Sequence, residues 1–282
     1  MTLGPLLLLT SAFLHAAWNA VAKSSQDKES FLFLTILLSG IITLGVTLTF
    51  GGFSMPHREA WLIGILSGVF EGLYFLTLAK ALRTSSLGKS YTIMRGGAMI
   101  LVWLISTLFL QERAGGLQFT GAALILAGII AMNAQDFSKN NAAADGRGNI
   151  WAYLSAIFIA GYHLCYHRAL VAKAEPKSLF FIAMIVSLPF LFWGLRKDPV
   201  SRISHTVKTR GLAVMATGAA ATASFLIFLY GLQVSAPGFA ISLRNSSIFF
   251  AVIFSYFLKE SLTRSQILGA FTVGVGAVLL SL

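Results

Sequence analysis

LQERAGGLQFTGAALILAG, residues 110–128, aligns with LKESLTRSQILGAFTVGVG, residues 258–276, close to the other end of the chain. The matches include Leu110 with Leu258, Glu112 with Glu260, Gly121 with Gly269 and Gly128 with Gly276. A second pair of stretches, SAFLHAAWNAVAK (11–23) and SAIFIAGYHLCYH (155–167), aligns at nearly the same offset. Because self-similarity at a fixed period marks a duplicated structural unit, we expect two homologous halves.

The chain is too apolar for a water-soluble protein. It has 282 residues, of which 56% are hydrophobic and 11% charged, with a mean hydropathy of +0.79, whereas about 25% of the residues in a soluble domain are charged. The charges lie in short clusters between long apolar runs, which is the pattern of a polytopic membrane protein. Since lipid offers no partner to backbone polar groups, these runs must be helices. We predict an all-α integral membrane protein.

The apolar runs predict ten transmembrane helices. Each run approaches the roughly 20 mainly apolar residues that a helix needs to cross the hydrocarbon core. The predicted spans are 3–22, 30–50, 60–82, 87–110, 115–134, 149–170, 178–195, 209–232, 237–258 and 262–282. The links between them are short, and the longest, 135–148 and 196–208, are polar and turn-rich.

Each half contains five of these spans. We place the N-terminal repeat at 1–134, a polar linker at 135–148 and the C-terminal repeat at 149–282. Because five is odd, the second half enters the membrane from the side opposite to the first, and the two repeats are inverted. Inverted repeats are typical of alternating-access transporters, whose substrate binds near the membrane midplane between the halves.

The net charge of +11 does not indicate a nucleic-acid partner. The Lys and Arg residues are spread over the loops beside the spans, with no basic face that could follow a phosphate backbone. We call the side on which the chain starts side A and the opposite side B. The loops on side B carry most of the Lys and Arg, so the positive-inside rule places side B in the cytoplasm and both termini outside.

Three charged residues lie deep inside predicted spans, at least seven positions from either end. At about 1.5 Å per residue, Glu71 lies about 16 Å from side A, Arg95 about 18 Å and Arg244 about 10 Å. Charge inside a bilayer is costly and marks a pathway or an ion pair. Glu71 could titrate a proton or bind an amine, or form a structural salt bridge. The arginines could bind a carboxylate or phosphate or cross-link helices, and Arg244 could instead reach side A.

Polar and aromatic residues at helical spacing share faces of the spans around these charges. A polar stripe inside a membrane faces a cavity or the bundle interior. Trp18 has an alternative role as an interfacial anchor, and Lys23 is expected to end its helix among the headgroups. With Glu71, Arg95 and Arg244, the predicted substrate-binding residues of the central cavity are His15, Trp18, Asn19, Tyr74, Tyr91, Tyr162 and His163.

No metal, cofactor or enzymatic activity is predicted. His163 and His167 have the i, i+4 spacing of metal ligands, but no suitable third ligand shares their face. The chain lacks the H-E-x-x-H and G-x-S-x-G motifs of hydrolases and the P-loop of primary pumps. The expected partners are the lipid bilayer, a small-molecule substrate and a proton. The glycines of GAALILAG and GAFTVGVG favour close helix packing within a monomer, with a dimer contact as the alternative.

These residues resemble the drug/metabolite transporter superfamily, and in particular its bacterial EamA-type members with ten helices. The resemblance covers the whole chain and depends on the two five-helix halves, the Glu-containing turns at 111–113 and 259–261, and the glycine-patterned helices after them. One branch of the family has a first helix with the motif H-A-x-W-N and a lysine four residues later, which matches residues 15–19 and Lys23. The same branch has Y-P-x-x-R-G, as in 91–96, where Thr92 replaces the proline.

The resemblance implies secondary transport by alternating access, commonly export of small metabolites from bacteria, often with proton exchange. The family that the chain resembles includes exporters of amino acids, among them aromatic ones, and also exporters of drugs and organic cations. We therefore expect a multi-pass protein of the bacterial inner membrane that exports amino acids or similar metabolites, with a proton-coupled multidrug or organic-cation exporter as the alternative. Most such relatives keep both termini inside, whereas the loop charges of this chain predict that both termini lie outside.

Overall fold

A computed structural model describes residues 3–109, 115–138, 142–234 and 243–280. This part of the chain forms ten α-helices, which we number in chain order. They are α1 (Leu3–Ser24), α2 (Lys28–Thr49), α3 (Arg58–Thr84), α4 (Leu87–Phe109), α5 (Gly116–Ser138), α6 (Ala142–Val171), α7 (Pro176–Leu195), α8 (Pro199–Val234), α9 (Ser247–Phe257) and α10 (Arg264–Leu280).

The helices confirm the predicted spans, with longer ends in several places. Among the described residues, seven helices are long and apolar enough to cross a membrane, and Leu243–Phe257 and Arg264–Leu280 are shorter apolar helices. Helices α5 and α6 extend into the segment predicted as a linker. The turn at 111–113 and the start of the ninth predicted span lie outside the described residues.

One predicted loop is wrong. The sequence analysis treated 196–208 as a turn-rich link, but α8 already begins at Pro199 and continues to Val234, with a kink at Arg210 (φ −134°, ψ 16°). Proline is well tolerated in the first turn of a helix, because the N–H that it lacks would have no intrahelical partner there. The Asp-Pro pair therefore starts a helix here instead of extending a turn.

The two glycine-patterned stretches pack against each other. A Cβ built on Gly121 would lie 2.5 Å from the backbone N of Leu280, and one on Gly128 would lie 2.6 Å from the carbonyl O of Gly269. The contacts run in opposite directions along the two helices, so α5 and α10 are antiparallel. The glycines thus permit close backbone contact within the monomer, as predicted.

The same type of helix cap precedes α2 and its repeat equivalent α7, which begin on opposite sides of the membrane. Before α2, the Asp27 side chain accepts a hydrogen bond from the backbone N of Ser30, at 3.0 Å. Before α7, the Glu175 side chain accepts one from the backbone N of Ser178, also at 3.0 Å. A carboxylate at this position satisfies an N–H at the helix start and is favoured by the helix dipole.

Contacts between the halves follow the symmetry of an inverted repeat. Helix α3 packs on α6, and its repeat equivalent α8 packs on α1. At corresponding places, Ser155 Oγ donates to Thr77 Oγ1 at 2.8 Å, and Ser11 Oγ donates to the carbonyl O of Ser224 at 2.7 Å. Each helix of one half is thus buried against the other half, which places the centre of the bundle between them.

The α5–α10 contact predicts a strong effect of one methyl group. We expect Gly128→Ala to lower the free energy of unfolding by about 1–3 kcal/mol, because backbone atoms of α10 cannot move aside without separating the helices. Gly45→Ala in α2 is the control, since nothing lies within 4 Å of its Cβ position. Thermal unfolding of the purified protein in detergent measures both. A Gly128 variant as stable as the wild type would contradict the close contact.

The Asp27 cap predicts acid sensitivity. Partial burial alone would raise the pKa of Asp27, but hydrogen bonds from Arg202 and Ser30 outweigh it and hold the pKa below its ordinary value. The carboxylate therefore contributes stability at neutral pH that is lost as the pH falls below about 4. We expect Asp27→Asn to cost about 1 kcal/mol at pH 7 and to flatten the stability profile below pH 5. A mutant whose profile parallels that of the wild type would contradict this.

Candidate functional site

Two arginines meet on one histidine in the middle of the bundle. Arg95 Nη2 contacts His15 Nε2, and Arg244 Nη2 lies 3.2 Å from His15 Nδ1. Arg244 Nη1 also donates to Ser11 Oγ at 3.1 Å and to the carbonyl O of Ser224 at 3.3 Å. Arg244 lies in the chain just before α9. Its contacts, together with that of Arg95, join this segment to α1, α4 and α8.

Neither guanidinium has a carboxylate partner in the described part of the chain, where no Asp or Glu oxygen lies within 4.0 Å of Arg95 or Arg244. Both arginines are 1% exposed. Cation–π contacts stabilise the charge of Arg244, whose guanidinium lies 4.1 Å from the Phe228 ring centroid and 4.5 Å from that of Phe225. Among the described residues, the site thus holds two fully buried cations with no carboxylate at ion-pair distance.

The buried carboxylate of Glu71 is held by a tyrosine. Tyr166 on α6 donates its hydroxyl to Glu71 Oε2, while Glu71 Oε1 has no hydrogen-bond partner among the residues that the structure describes. A structural salt bridge with either arginine, one of the two roles considered for Glu71, is therefore absent from this conformation. One oxygen of the carboxylate is available to a ligand.

Aromatic side chains surround the charged groups. The rings of Tyr74 and Tyr162 lie 5.7 Å apart, and those of His15 and Trp18 lie 5.2 Å apart at nearly a right angle. Trp18 is 1% exposed and donates its Nε1 hydrogen to His15 Nδ1 at 3.2 Å. The alternative of an interfacial anchor is thus wrong for Trp18. Its ring forms part of the wall of the site.

Several buried polar atoms at this place have no hydrogen-bond partner within the described ranges of the chain. Most buried polar groups in proteins are hydrogen-bonded, and leaving one unpaired costs about 1–3 kcal/mol. Their concentration around one point therefore indicates a site for a polar ligand. The atoms are Asn19 Oδ1, Glu71 Oε1, Tyr91 OH, Arg95 Nη1, Tyr162 OH, His163 Nε2, Arg244 Nε and Asn245 Nδ2.

Among the described residues, the side chains of the site are packed closely together. The cavity that touches Arg95, His163 and Asn245 has a volume of about 10 Å³, which is about the space that one water molecule requires. Every residue of the predicted set is buried, including Tyr91, Tyr74 and Asn19. The structure thus brings the predicted residues together.

One expectation about an arginine is corrected. Arg244 does not reach the surface of side A, because Ser11 and the carbonyl of Ser224 hold its guanidinium in the interior. Lys23 lies in the last turn of α1, at the helix end as expected. Its Nζ donates to the carbonyl O atoms of Leu82 (2.7 Å) and Ser85 (2.6 Å) and lies 3.3 Å from Glu260 Oε1.

The predicted substrate-binding set left out four residues of the site: Tyr166, Ser11, Ser224 and Asn245. Tyr166 lies on the same face as Tyr162 and His163, so its helical spacing was the available signal. Asn245 is adjacent to Arg244 in an apolar span, which is itself unusual. The serines carry no such signal, because hydroxyls are common inside membrane helices and usually bond to their own backbone.

Comparison with known proteins supports a transporter fold. The model of the EamA-like transporter family matches residues 2–134 and again residues 146–282. An uncharacterized membrane protein of Bacillus subtilis (strain 168), YvaE, is 29% identical over 103 residues, which cover 36% of this chain and 82% of that protein. A solved crystal structure superimposes with a TM-score of 0.69 at 15% identity, over 98% of this chain and 95% of the other. At that identity the likeness shows the fold alone.

The unpaired arginine predicts a stable but ligand-insensitive variant. We expect Arg95→Met to unfold at the same temperature as the wild type or higher, because it replaces a buried, unpaired cation with an apolar chain of similar length. The same variant should lose any stabilisation that a bound substrate confers. Thermal unfolding with and without substrate measures both effects. A large loss of stability in the free protein would mean that Arg95 is a structural cross-link.

Proposed function

Since the chain belongs to the EamA-like transporter family, we propose that it is a secondary transporter that exports amino acids or similar small metabolites across the bacterial inner membrane. The proposed mechanism is alternating access, in which the two five-helix repeats rock about the site between them. The substrate is bound by the cluster of His15, Arg95, Arg244 and Glu71.

The observation that carries this proposal is the charge arrangement of the site. In the part of the chain that the structure describes, Arg95 and Arg244 are buried cations without a carboxylate partner, and one oxygen of Glu71 has no partner. An α-amino acid supplies the complementary groups, because its carboxylate can accept from guanidinium N–H groups and its ammonium can donate to Glu71 Oε1. The surrounding aromatic rings favour an apolar or aromatic side chain.

The closed state is consistent with one step of an alternating-access cycle. On side B, ion pairs join the two halves: Lys23 with Glu260 at 3.3 Å, and Arg202 with Asp27 at 2.6 Å. Opening towards side B requires these contacts to separate. A substrate can drive such a change only by binding the two states with different affinity, and groups left unpaired in the closed state are where that difference arises.

A proton-coupled exporter of organic cations is the second candidate. It is favoured by the Glu71 carboxylate lying near Tyr74 and Tyr162, since a carboxylate among aromatic faces suits a cationic ligand. The two buried arginines argue against it, because a cationic substrate would add a third positive charge to the same site. We therefore rank the amino-acid exporter first.

Reconstituted protein tests the proposal directly. Liposomes loaded with single amino acids, with and without a pH gradient, should show counterflow of at least one of them. Arg95→Gln should lower that transport by a factor on the order of a hundred, because a charged hydrogen bond to the carboxylate is worth about 1.5–3 kcal/mol. Arg168→Gln is the control, since Arg168 is an exposed arginine on side A.

A second variant tests recognition of the substrate's ammonium group separately from recognition of its carboxylate. Glu71→Gln should weaken transport of the amino acid more than transport of its des-amino analogue, because only the former has an ammonium group to lose a partner. Equal losses for both compounds would place Glu71 outside the amine contact. Transport of organic cations without any amino-acid counterflow would overturn the proposal in favour of the second candidate.

A further inference from the structure

A basic cavity lies on side B between α3 and α7, away from the central site. Its volume is about 440 Å³. Four cations come from the end of α3 and from the chain just after α7, and a fifth comes from the start of α8. They are Lys80, Arg83, Arg196, Lys197 and Arg202, and one acid, Glu29, also lines the cavity.

Three of these cations are not neutralised by the protein. Arg83 lies 3.1 Å from Glu29, and Arg202 lies 2.6 Å from Asp27. Within the described ranges, Lys80, Arg196 and Lys197 have no carboxylate within 4.0 Å. Lys80 is instead held with its Nζ 3.9 Å from the centroid of the Trp151 ring. The cavity therefore presents an excess of positive charge at the membrane surface.

An apolar groove continues from this cavity into the membrane. It has a volume of about 380 Å³ and is lined by Leu73, Leu76, Pro189, Phe190 and Trp193. Leu76 and Trp193 line both the groove and the cavity. At about 1.5 Å per residue, Leu73 lies about 10 Å deeper along α3 than Lys80. The groove thus extends along the helix towards the middle of the hydrocarbon region.

Local packing forms the walls of this groove. The Phe190 ring lies over Gly72, whose added Cβ would be only 2.7 Å from the ring, and Gly194 brings the α7 backbone close to Leu76. Pro189 inside α7 provides no N–H to the preceding turn and disturbs the helix there. Trp193 is 71% exposed at the junction of groove and cavity, where an aromatic side chain favours the membrane interface.

From this arrangement we propose that the cavity and the groove together bind one anionic phospholipid. Lys80, Arg196 and Lys197 contact the phosphate headgroup, and an acyl chain lies along Leu73, Leu76 and Phe190. A free phosphate ion would use the cations and leave the groove without a role, whereas a zwitterionic lipid would leave the positive excess unmatched. The cationic cavity and its apolar continuation together match both parts of an anionic lipid.

The position of the lipid site bears on the transport cycle. Helix α3 belongs to the first half and α7 to the second, and the lipid contacts both. Bound lipid therefore stabilises the arrangement of the halves seen here relative to arrangements in which α3 and α7 separate. This inference goes beyond the substrate site and does not depend on which substrate the protein carries.

Binding to the purified full-length chain tests the inference. The protein in mild detergent is titrated with phosphatidylglycerol, phosphatidylcholine or inorganic phosphate, and bound molecules are counted by native mass spectrometry, with thermal unfolding as the second readout. The expected result is one tightly held phosphatidylglycerol and a higher unfolding temperature, with little effect of the other two additions.

Two variants and a matched control locate the binding. Arg196→Gln with Lys197→Gln should weaken phosphatidylglycerol binding by tenfold or more, on the order expected for two cations near a lipid surface. Lys208→Gln with Lys259→Gln removes two exposed cations from the same side outside the cavity and should leave binding unchanged. Leu73→Trp narrows the groove without changing charge and should also weaken binding.

Each other outcome overturns the proposal. Equal binding of phosphatidylcholine would remove the role of the cations, and equal stabilisation by inorganic phosphate would reduce the site to a simple anion site. Equal losses in the test and control double variants would show a general effect of surface charge. Unchanged binding in the Leu73 variant would exclude the groove. None of these results depends on transport, so failure here is distinct from failure of the proposed function.

Discussion

The contact of Arg95 and Arg244 with His15 constrains the whole interior of the molecule. A guanidinium cannot lose its charge under ordinary conditions, and charge inside a bilayer costs at least a few kcal/mol. The bundle lowers that cost for Arg244 with a serine hydroxyl, a backbone carbonyl and two aromatic faces. Because these partners come from both halves, Arg244 contacts both halves at the centre of the bundle.

Scaffold and site follow different rules of symmetry. Several features of the scaffold occur in both copies. They are the helix caps before α2 and α7, the glycines at which α5 and α10 touch, and the hydrogen bonds that the equivalent residues Ser11 and Ser155 each donate to the other half. The carboxylate does not follow this symmetry, since Glu71 corresponds to Ala219 in the repeat. We propose that the duplicated scaffold provides two equivalent conformations and that the single carboxylate gives the substrate one orientation within them.

The sequence predicted the helices and the proximity of the site residues for a physical reason. Long apolar runs and helical spacing are local properties, and the high cost of polar groups in lipid forces them towards the bundle centre. The Tyr166–Glu71 bond and the anchoring of Arg244 by Ser11 and Ser224 depend instead on how each helix is rotated and shifted against its neighbours. That register is determined by packing of the whole bundle and leaves no local pattern.

The start of α8 was mispredicted for a related reason. The Asp198-Pro199 pair has the composition of a turn, and only its position after α7 makes Pro199 the first residue of a helix. The same helix carries Arg202, which joins Asp27 and thereby holds the second half to the first on side B. A segment that looked like a connecting loop is therefore part of the contact between the two halves on that side.

Helix α3 connects the events at the centre with those at the membrane surface. One of its faces carries Glu71 and Tyr74 into the site, and another presents Leu73, Leu76 and Lys80 to the groove and the basic cavity. Gly68 and Gly72 press that helix closely onto α7, so α3 cannot tilt without changing the contact with Val186 and Phe190. Packed helices shift as units and do not bend continuously. A tilt of α3 that moves the Glu71 carboxylate away from Tyr166 must therefore also reshape the groove at its other face.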